Sequence, residues 1–141
     1  MIGYVTLGTA DLARGGVFYD ALAKEMGVGR MMDEDTFIAW GEMNGPAGVA
    51  ITKPFDGQAP SVGNGVMVAL QANDPQQVDR LHAIALEQGG TCEGKPGDRG
   101  GGFYAAYFRD LDGNKLNAFC MVAADCAVAQ PIGRRATTRM A

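Results

Sequence analysis

The sequence has 141 residues, 47% hydrophobic and 20% charged, enough for one globular domain with a substantial core. A formal net charge of −4 and a pI near 4.8 argue against nucleic acid or an anionic membrane surface as the main partner. Residues 1–6 hold neither a basic stretch nor a long apolar run, so no secretory signal or transmembrane anchor is expected. Three cysteines, Cys92, Cys120 and Cys126, make an odd count without Cys-x-x-Cys spacing. That argues against a disulfide framework or a structural zinc site and for reduced thiols in a cytoplasmic protein.

In chain order, residues 2–8 alternate as a half-buried strand. Thr9 and Asp11 can cap the helix that follows, whose apolar face is Leu12, Phe18, Leu22 and Met26 and which Gly27 ends. Gly15-Gly16 inside it costs about 2 kcal/mol relative to alanine, which points to close packing of that turn against a strand. Strands are expected over residues 29–33, 35–41 and 47–53, joined by the acidic turn Asp33-Glu34-Asp35 and by Asn44-Gly45-Pro46. Residues 54–64, rich in Gly and Pro, form a linker.

A strand over residues 65–71 then leads to Asn73-Asp74-Pro75, which opens a second helix with Val78, Leu81, Ile84 and Ala85 as its stripe and Gly89-Gly90 as its stop. The only histidine, His82, lies beside that stripe and reads as a helix-surface side chain. A short strand at residues 91–93 runs into Gly97-Asp98-Arg99-Gly100-Gly101-Gly102. No helix follows this run, so it is no phosphate cradle; it is either a lid, with Arg99 as a contact to an anionic ligand, or a plain loop. Strands at residues 103–109 and 114–122 flank Asp110-Leu111-Asp112-Gly113-Asn114, a hairpin signal. As a calcium loop it fails, with Lys115 at its sixth position and Met121 at its twelfth. Residues 123–141 are an Ala-rich tail with Arg134, Arg135 and Arg139 against Asp125.

The chain repeats itself. A shift of 63 lays residues 4–27 over residues 67–90, with Val5 on Val68, Leu7 on Leu70, Asp11 on Asp74, Phe18 on Leu81 and Gly27 on Gly90. Each copy is strand–helix–strand–strand–strand. Two copies are too few for a solenoid and read as a duplicated module around one core. The expected layout is a single domain over residues 1–122, with module one at about 2–53, the linker at 54–64 and module two at about 65–122.

This layout, with Val5-Thr6-Leu7 through Phe18-Tyr19 to Gly27, Met67-Val68-Ala69-Leu70, and Tyr107-Phe108-Arg109-Asp110-Leu111-Asp112-Gly113-Asn114-Lys115-Leu116, resembles the vicinal oxygen chelate superfamily of glyoxalase I, bleomycin-resistance proteins and extradiol dioxygenases. The resemblance covers about residues 2–122. It implies an α+β fold of two βαβββ modules whose strands curl into an open, barrel-like cup with the helices outside, and a homodimer in which two modules complete each cup. Alternation places Val5, Leu7, Val68 and Leu70 under the helices, and Tyr4, Thr6, Met67 and Ala69 in the cup.

In metal-dependent relatives the cup holds a divalent ion on His or Glu from the first and last strands of each module. Carried over, those positions are Tyr4, Ala50, Met67 and Asn117, none of them a usual ligand for a catalytic divalent ion. The expectation is therefore a cup without metal or other cofactor. Its candidate ligand-binding residues are Tyr4, Thr6, Trp40, Ala50, Met67, Asn117, Phe119 and Arg99, with Phe37, Tyr104 and Tyr107 as further aromatic surface. Cys120 falls on the helix side as an inert thiol; Glu42, Glu93 and Asp56 lie in turns or on edges, and the sequence places no pair of them inside the cup. The leading reading is a binder of a small apolar or aromatic molecule, with no nucleic-acid or membrane partner. The alternatives are an enzyme of the same superfamily (lyase, isomerase or dioxygenase type), either metal-dependent with displaced ligands or metal-independent with Tyr4 as acid, and a structural or partner-binding domain with a filled cup.

Overall fold

The computed structural model describes residues 1–122; the expectations for the tail and for Cys126 lie outside the described residues. The order is β1 (Tyr4–Gly8), α1 (Leu12–Glu25), β2 (Gly29–Glu34), β3 (Phe37–Gly41), β4 (Gly48–Thr52), β5 (Val68–Gln71), α2 (Pro75–Glu87), β6 (Thr91–Asp98), β7 (Phe103–Arg109) and β8 (Lys115–Met121). The protein is α+β, with two four-stranded sheets ordered β1-β4-β3-β2 and β5-β8-β7-β6. In each, the first and last strands of a βαβββ unit pair in parallel and the rest antiparallel.

The two helices begin alike. The Asp11 carboxylate accepts from the Arg14 amide at 3.0 Å, and the Asp74 carboxylate from the Gln77 amide at 2.8 Å. Each therefore satisfies one of the amides that a helix start leaves without an internal partner. Helix α1 lies on β2–β4 and α2 on β6–β8, and the helices touch each other. One hydrophobic core runs through both units, with Phe18, Leu22, Ile51, Leu81, Phe108 and Leu116 among its members.

The glycine pair in α1 has a visible reason. A β-carbon on Gly15 would stand 2.8 Å from Ile51 Cδ1 and 3.2 Å from Thr9 Oγ1, and one on Gly16 would stand 2.9 Å from an Arg30 guanidinium nitrogen. The helix lies so close to its sheet there that a larger residue would have to displace the ends of the Ile51 or Arg30 side chains.

Two sequence expectations change. Strand β6 runs to Asp98 and takes in the first part of the glycine-rich run, so the expected lid is the end of a β-hairpin, closed by Phe103 N–H donating to Gly100 at 3.1 Å. Its pairing with β7 shifts register twice, which accommodates Gly94, Pro96 and Gly97 in an edge strand. His82 is not on the helix surface. It is 8% exposed, with Nε2 at 3.2 Å from Cys92 Sγ, and burial holds its pKa below the ordinary imidazole value against the opposing pull of Asp79.

The hairpin between β7 and β8 ties the two units together. The buried Asp110 carboxylate accepts from Tyr19 Oη (2.7 Å), from the backbone amides of Asp112 and Asn114 (2.9 Å each) and from the Asn114 side chain (2.9 Å). Asn114 Nδ2 also donates to the Gly8 carbonyl at 2.9 Å, and the Ala10 amide donates to Asp112 at 2.9 Å. Burial first, and the facing Asp110 second, raise the Tyr19 pKa well above its ordinary value, so its hydroxyl stays a donor.

Candidate functional site

With both helices on one side, each sheet keeps a second face that no described helix or strand covers. Cross-strand pairing fixes what that open face displays, because directly paired residues share a face. In the first sheet Thr6 pairs with Ala50 and Ala50 with Ala39. In the second, Ala69 pairs with Asn117 and Asn117 with Tyr107. Thr6 and Ala69 are equivalent under the 63-residue shift, so Ala50 and Asn117 are equivalent, as are Ala39 and Tyr107.

Three of the expected site residues therefore lie on the open face of the first unit. Tyr4 is 44% exposed and sets its ring edge-on to Phe37, with centroids 5.5 Å apart. Thr6 is exposed beside it, while Ala50 is fully buried in the floor. Met67, 40% exposed, stands just before β5 in the second unit, at the position equivalent to Tyr4. In the second unit Asn117 is only 1% exposed, Phe119 stacks on Phe103 at 5.5 Å, and the Arg99 guanidinium lies 5.4 Å from the Tyr107 ring centre.

Trp40 stands apart from the open face. It points to the helix side, 2% exposed, with Nε1 donating to Asp20 at 2.8 Å and its ring against Tyr19 and Arg30. The Arg30 guanidinium is the main reason the Asp20 pKa is lowered. Tyr104 is also on the helix side, with Oη donating to Asp79 at 2.8 Å. Cys120 is there as expected, buried, its thiol pKa raised by that burial.

The face also holds residues that sequence reasoning did not select. Arg109 and Lys115 are direct partners, and Glu93 bridges them, engaged by both Nε and Nη2 of Arg109 and lying 3.7 Å from Lys115 Nζ. The hydrogen bonds from Arg109, and after them the nearby charges, lower the Glu93 pKa. Lys115 Nζ is in turn 5.4 Å from the Tyr107 ring centre. The signal was the alternation Lys115, Asn117, Phe119 on β8 and Tyr107, Arg109 on β7.

Two hollows border these residues. One, of 530 Å³, is bounded by linker residues 62–66 with Met67, Arg109 and Lys115. A larger one, of 680 Å³, opens on the helix side between α1 and the edge of β5, lined by Val5, Leu22, Met26, Trp40, Val68 and Leu70. We place the candidate site on the open face, because polar and aromatic groups converge there, whereas the larger hollow is walled mainly by apolar surface.

The donor set at Tyr4, Ala50, Met67 and Asn117 does not fit a divalent ion. A methyl group and a thioether offer such an ion nothing, a single amide is weak, and phenol binds only after losing a proton with a pKa near 10. Among the described residues no group of three or more His, Cys, Asp or Glu is arranged to hold a metal. No described helix is long and apolar enough to cross a membrane.

Comparison with known proteins agrees with the fold. No curated protein matches the chain. Among solved structures it is similar to a glyoxalase/bleomycin resistance protein from Albidiferax ferrireducens T118, 36% identical over 85% of this chain and 98% of that one, with a TM-score of 0.77. It is also similar to a hypothetical protein from S. aureus, 27% identical over 83% and 91%, TM-score 0.67. Lactoylglutathione lyase from Agrobacterium tumefaciens, 18% identical over 85% and 92% with a TM-score of 0.64, shares the fold. The family model for the glyoxalase/bleomycin resistance protein/dioxygenase superfamily matches residues 2–118. With that span matched and both βαβββ units in place, the chain belongs to this superfamily.

Proposed function

We propose that this protein binds a small apolar or aromatic molecule on its open sheet faces, in a site that works without a metal ion. The observation that carries the reading is the side-chain set at the four positions where metal-dependent relatives would place ligands. Tyr4, Ala50, Met67 and Asn117 supply ring, methyl, thioether and amide, a lining suited to a largely apolar ligand. Tyr4 and Met67 are 44% and 40% exposed, which favours a ligand surface over a cup filled by its own side chains.

We further propose a cytoplasmic homodimer. Strands β1 and β5 are outer strands of their sheets, and an unpaired edge beside an uncovered face is a surface that a second copy can close. Light scattering at micromolar concentration should give twice the chain mass; a monomer at all concentrations would contradict this part.

A thermal-shift screen of aromatic compounds tests the main reading. The expected result is stabilisation of about 1 kcal/mol or more by at least one compound well above its Kd. Once a ligand is known, Tyr4→Phe separates binding from turnover. Loss of any product formation with affinity kept would replace the binder reading with an enzymatic one.

A further inference from the structure

We infer that the open face of the second sheet selects aromatic molecules carrying an anionic group, held by Arg99, Lys115 and Asn117 around the Tyr107 ring. The inference rests on the reading of the open faces as a ligand site, and adds to it the charge and polarity of the ligand.

Three independent features converge. First, Asn117 is 1% exposed, and its Oδ1 has no hydrogen-bond partner among the described residues. Buried amides are normally paired, so a ligand hydroxyl or N–H fits this acceptor. Second, among the described residues the face carries three cations, Arg99, Arg109 and Lys115, against one carboxylate, Glu93. Arg109 holds that carboxylate with two nitrogens, while Arg99 forms no ion pair among the described residues and donates only to the Lys95 carbonyl, at 2.6 Å. Third, Arg99 and Lys115 each stand 5.4 Å from the Tyr107 ring centre, so aromatic surface and positive charge share one place.

An aromatic anion meets all three. Its ring packs on Tyr107 or the Phe103–Phe119 stack, its charge receives charge-assisted hydrogen bonds, and a donor group on it reaches Asn117. A cationic ligand would face a net repulsion of two charges. The equivalent positions of the first sheet are Ala39 for Tyr107, Ala50 for Asn117, Gly41 for Arg109 and Gly48 for Lys115. The charge preference therefore belongs to the second unit alone. The 530 Å³ hollow beside Arg109 and Lys115 leaves room for the anionic end.

The test is calorimetric titration of the full chain with three probes of one shape: 2-naphthoate, 2-naphthalenemethanol and 2-naphthylmethylammonium. Naphthoate should bind about tenfold tighter than the alcohol or better, with the ammonium weakest. Arg99→Gln and Lys115→Gln should each remove most of that preference while leaving the alcohol's affinity unchanged, and Arg14→Gln on α1 should change nothing. Equal affinity for the three probes, or a preference that survives both substitutions, overturns the charge inference and leaves the binding reading standing. Failure of all three probes, and of a wider aromatic screen, overturns both.

Discussion

The two βαβββ units share a skeleton and differ in opposite ways on their two faces. On the open face the first unit has Gly41, Gly48, Ala39 and Ala50 where the second has Arg109, Lys115, Tyr107 and Asn117. On the helix face the bulk has moved across the layer instead. Under the repeat Gly15 corresponds to Val78, and the ladders make Ile51 equivalent to Ala118 and Ile38 to Ala106. A small helix residue meets large strand residues in one unit, and the reverse holds in the other. Between the Gly15–Ile51 and Val78–Ala118 pairs the summed side-chain bulk is the same, as close packing requires, while the open face, which no described helix or strand covers, has diverged freely.

The joint between the units offers the largest expected effect. Asp110→Ala leaves the Tyr19 hydroxyl, the Asn114 side chain and two hairpin amides without their acceptor, and should cost about 4 kcal/mol in urea unfolding. A loss below about 1 kcal/mol would mean the units are held together by the apolar core alone.

The helix-face comparison makes a sharper prediction. Gly15→Val should cost about 3 kcal/mol by overpacking against Ile51. Adding Ile51→Ala, which reproduces the pairing of the second unit, should recover about 1–3 kcal/mol of the summed losses as a coupling energy. Strict additivity would break the proposed equivalence.

On the open face, Asn117→Leu removes a buried acceptor without a partner. It should leave stability unchanged or raise it by about 1 kcal/mol while weakening ligand binding. A purely structural asparagine predicts the opposite sign for stability.

The smallest effect concerns His82. Its folded pKa is depressed by burial, so stability is full above the unfolded value, near 6.5, and is lost as pH falls from there through the folded pKa. Because the chain has one histidine, the step should vanish in His82→Gln, measured as unfolding midpoints between pH 7.5 and 5.

Much of this was legible in the sequence. The duplicated pattern, the Asp caps at Asp11 and Asp74 and the Asp-Gly hairpin are local signals, and each marks the element it implies. The glycine pair announced a close approach, although its partners Ile51 and Arg30 come from distant strands. Strand β6 was read too short because Gly94, Pro96 and Gly97 are poor strand formers, tolerated by an edge with bulges.

Trp40 and Phe37 could not both line the cup, since residues three apart on a strand point to opposite faces; burial of the indole beside Asp20 decided between them. Arg109 and Lys115 are not selected by the sequence, and Glu93 is read there as an edge acid without a partner, because their meeting depends on the β6–β7–β8 register, which periodicity does not supply. His82 was misplaced because the buried side of α2 is wider than its apolar stripe.

The central claim, a ligand site that works without a metal, is tested most directly by titrating an aromatic ligand into protein stripped with EDTA, then repeating with zinc, nickel, iron(II) or manganese restored. The account predicts the same affinity in every case. Binding that disappears on stripping and returns with one of these ions would contradict it.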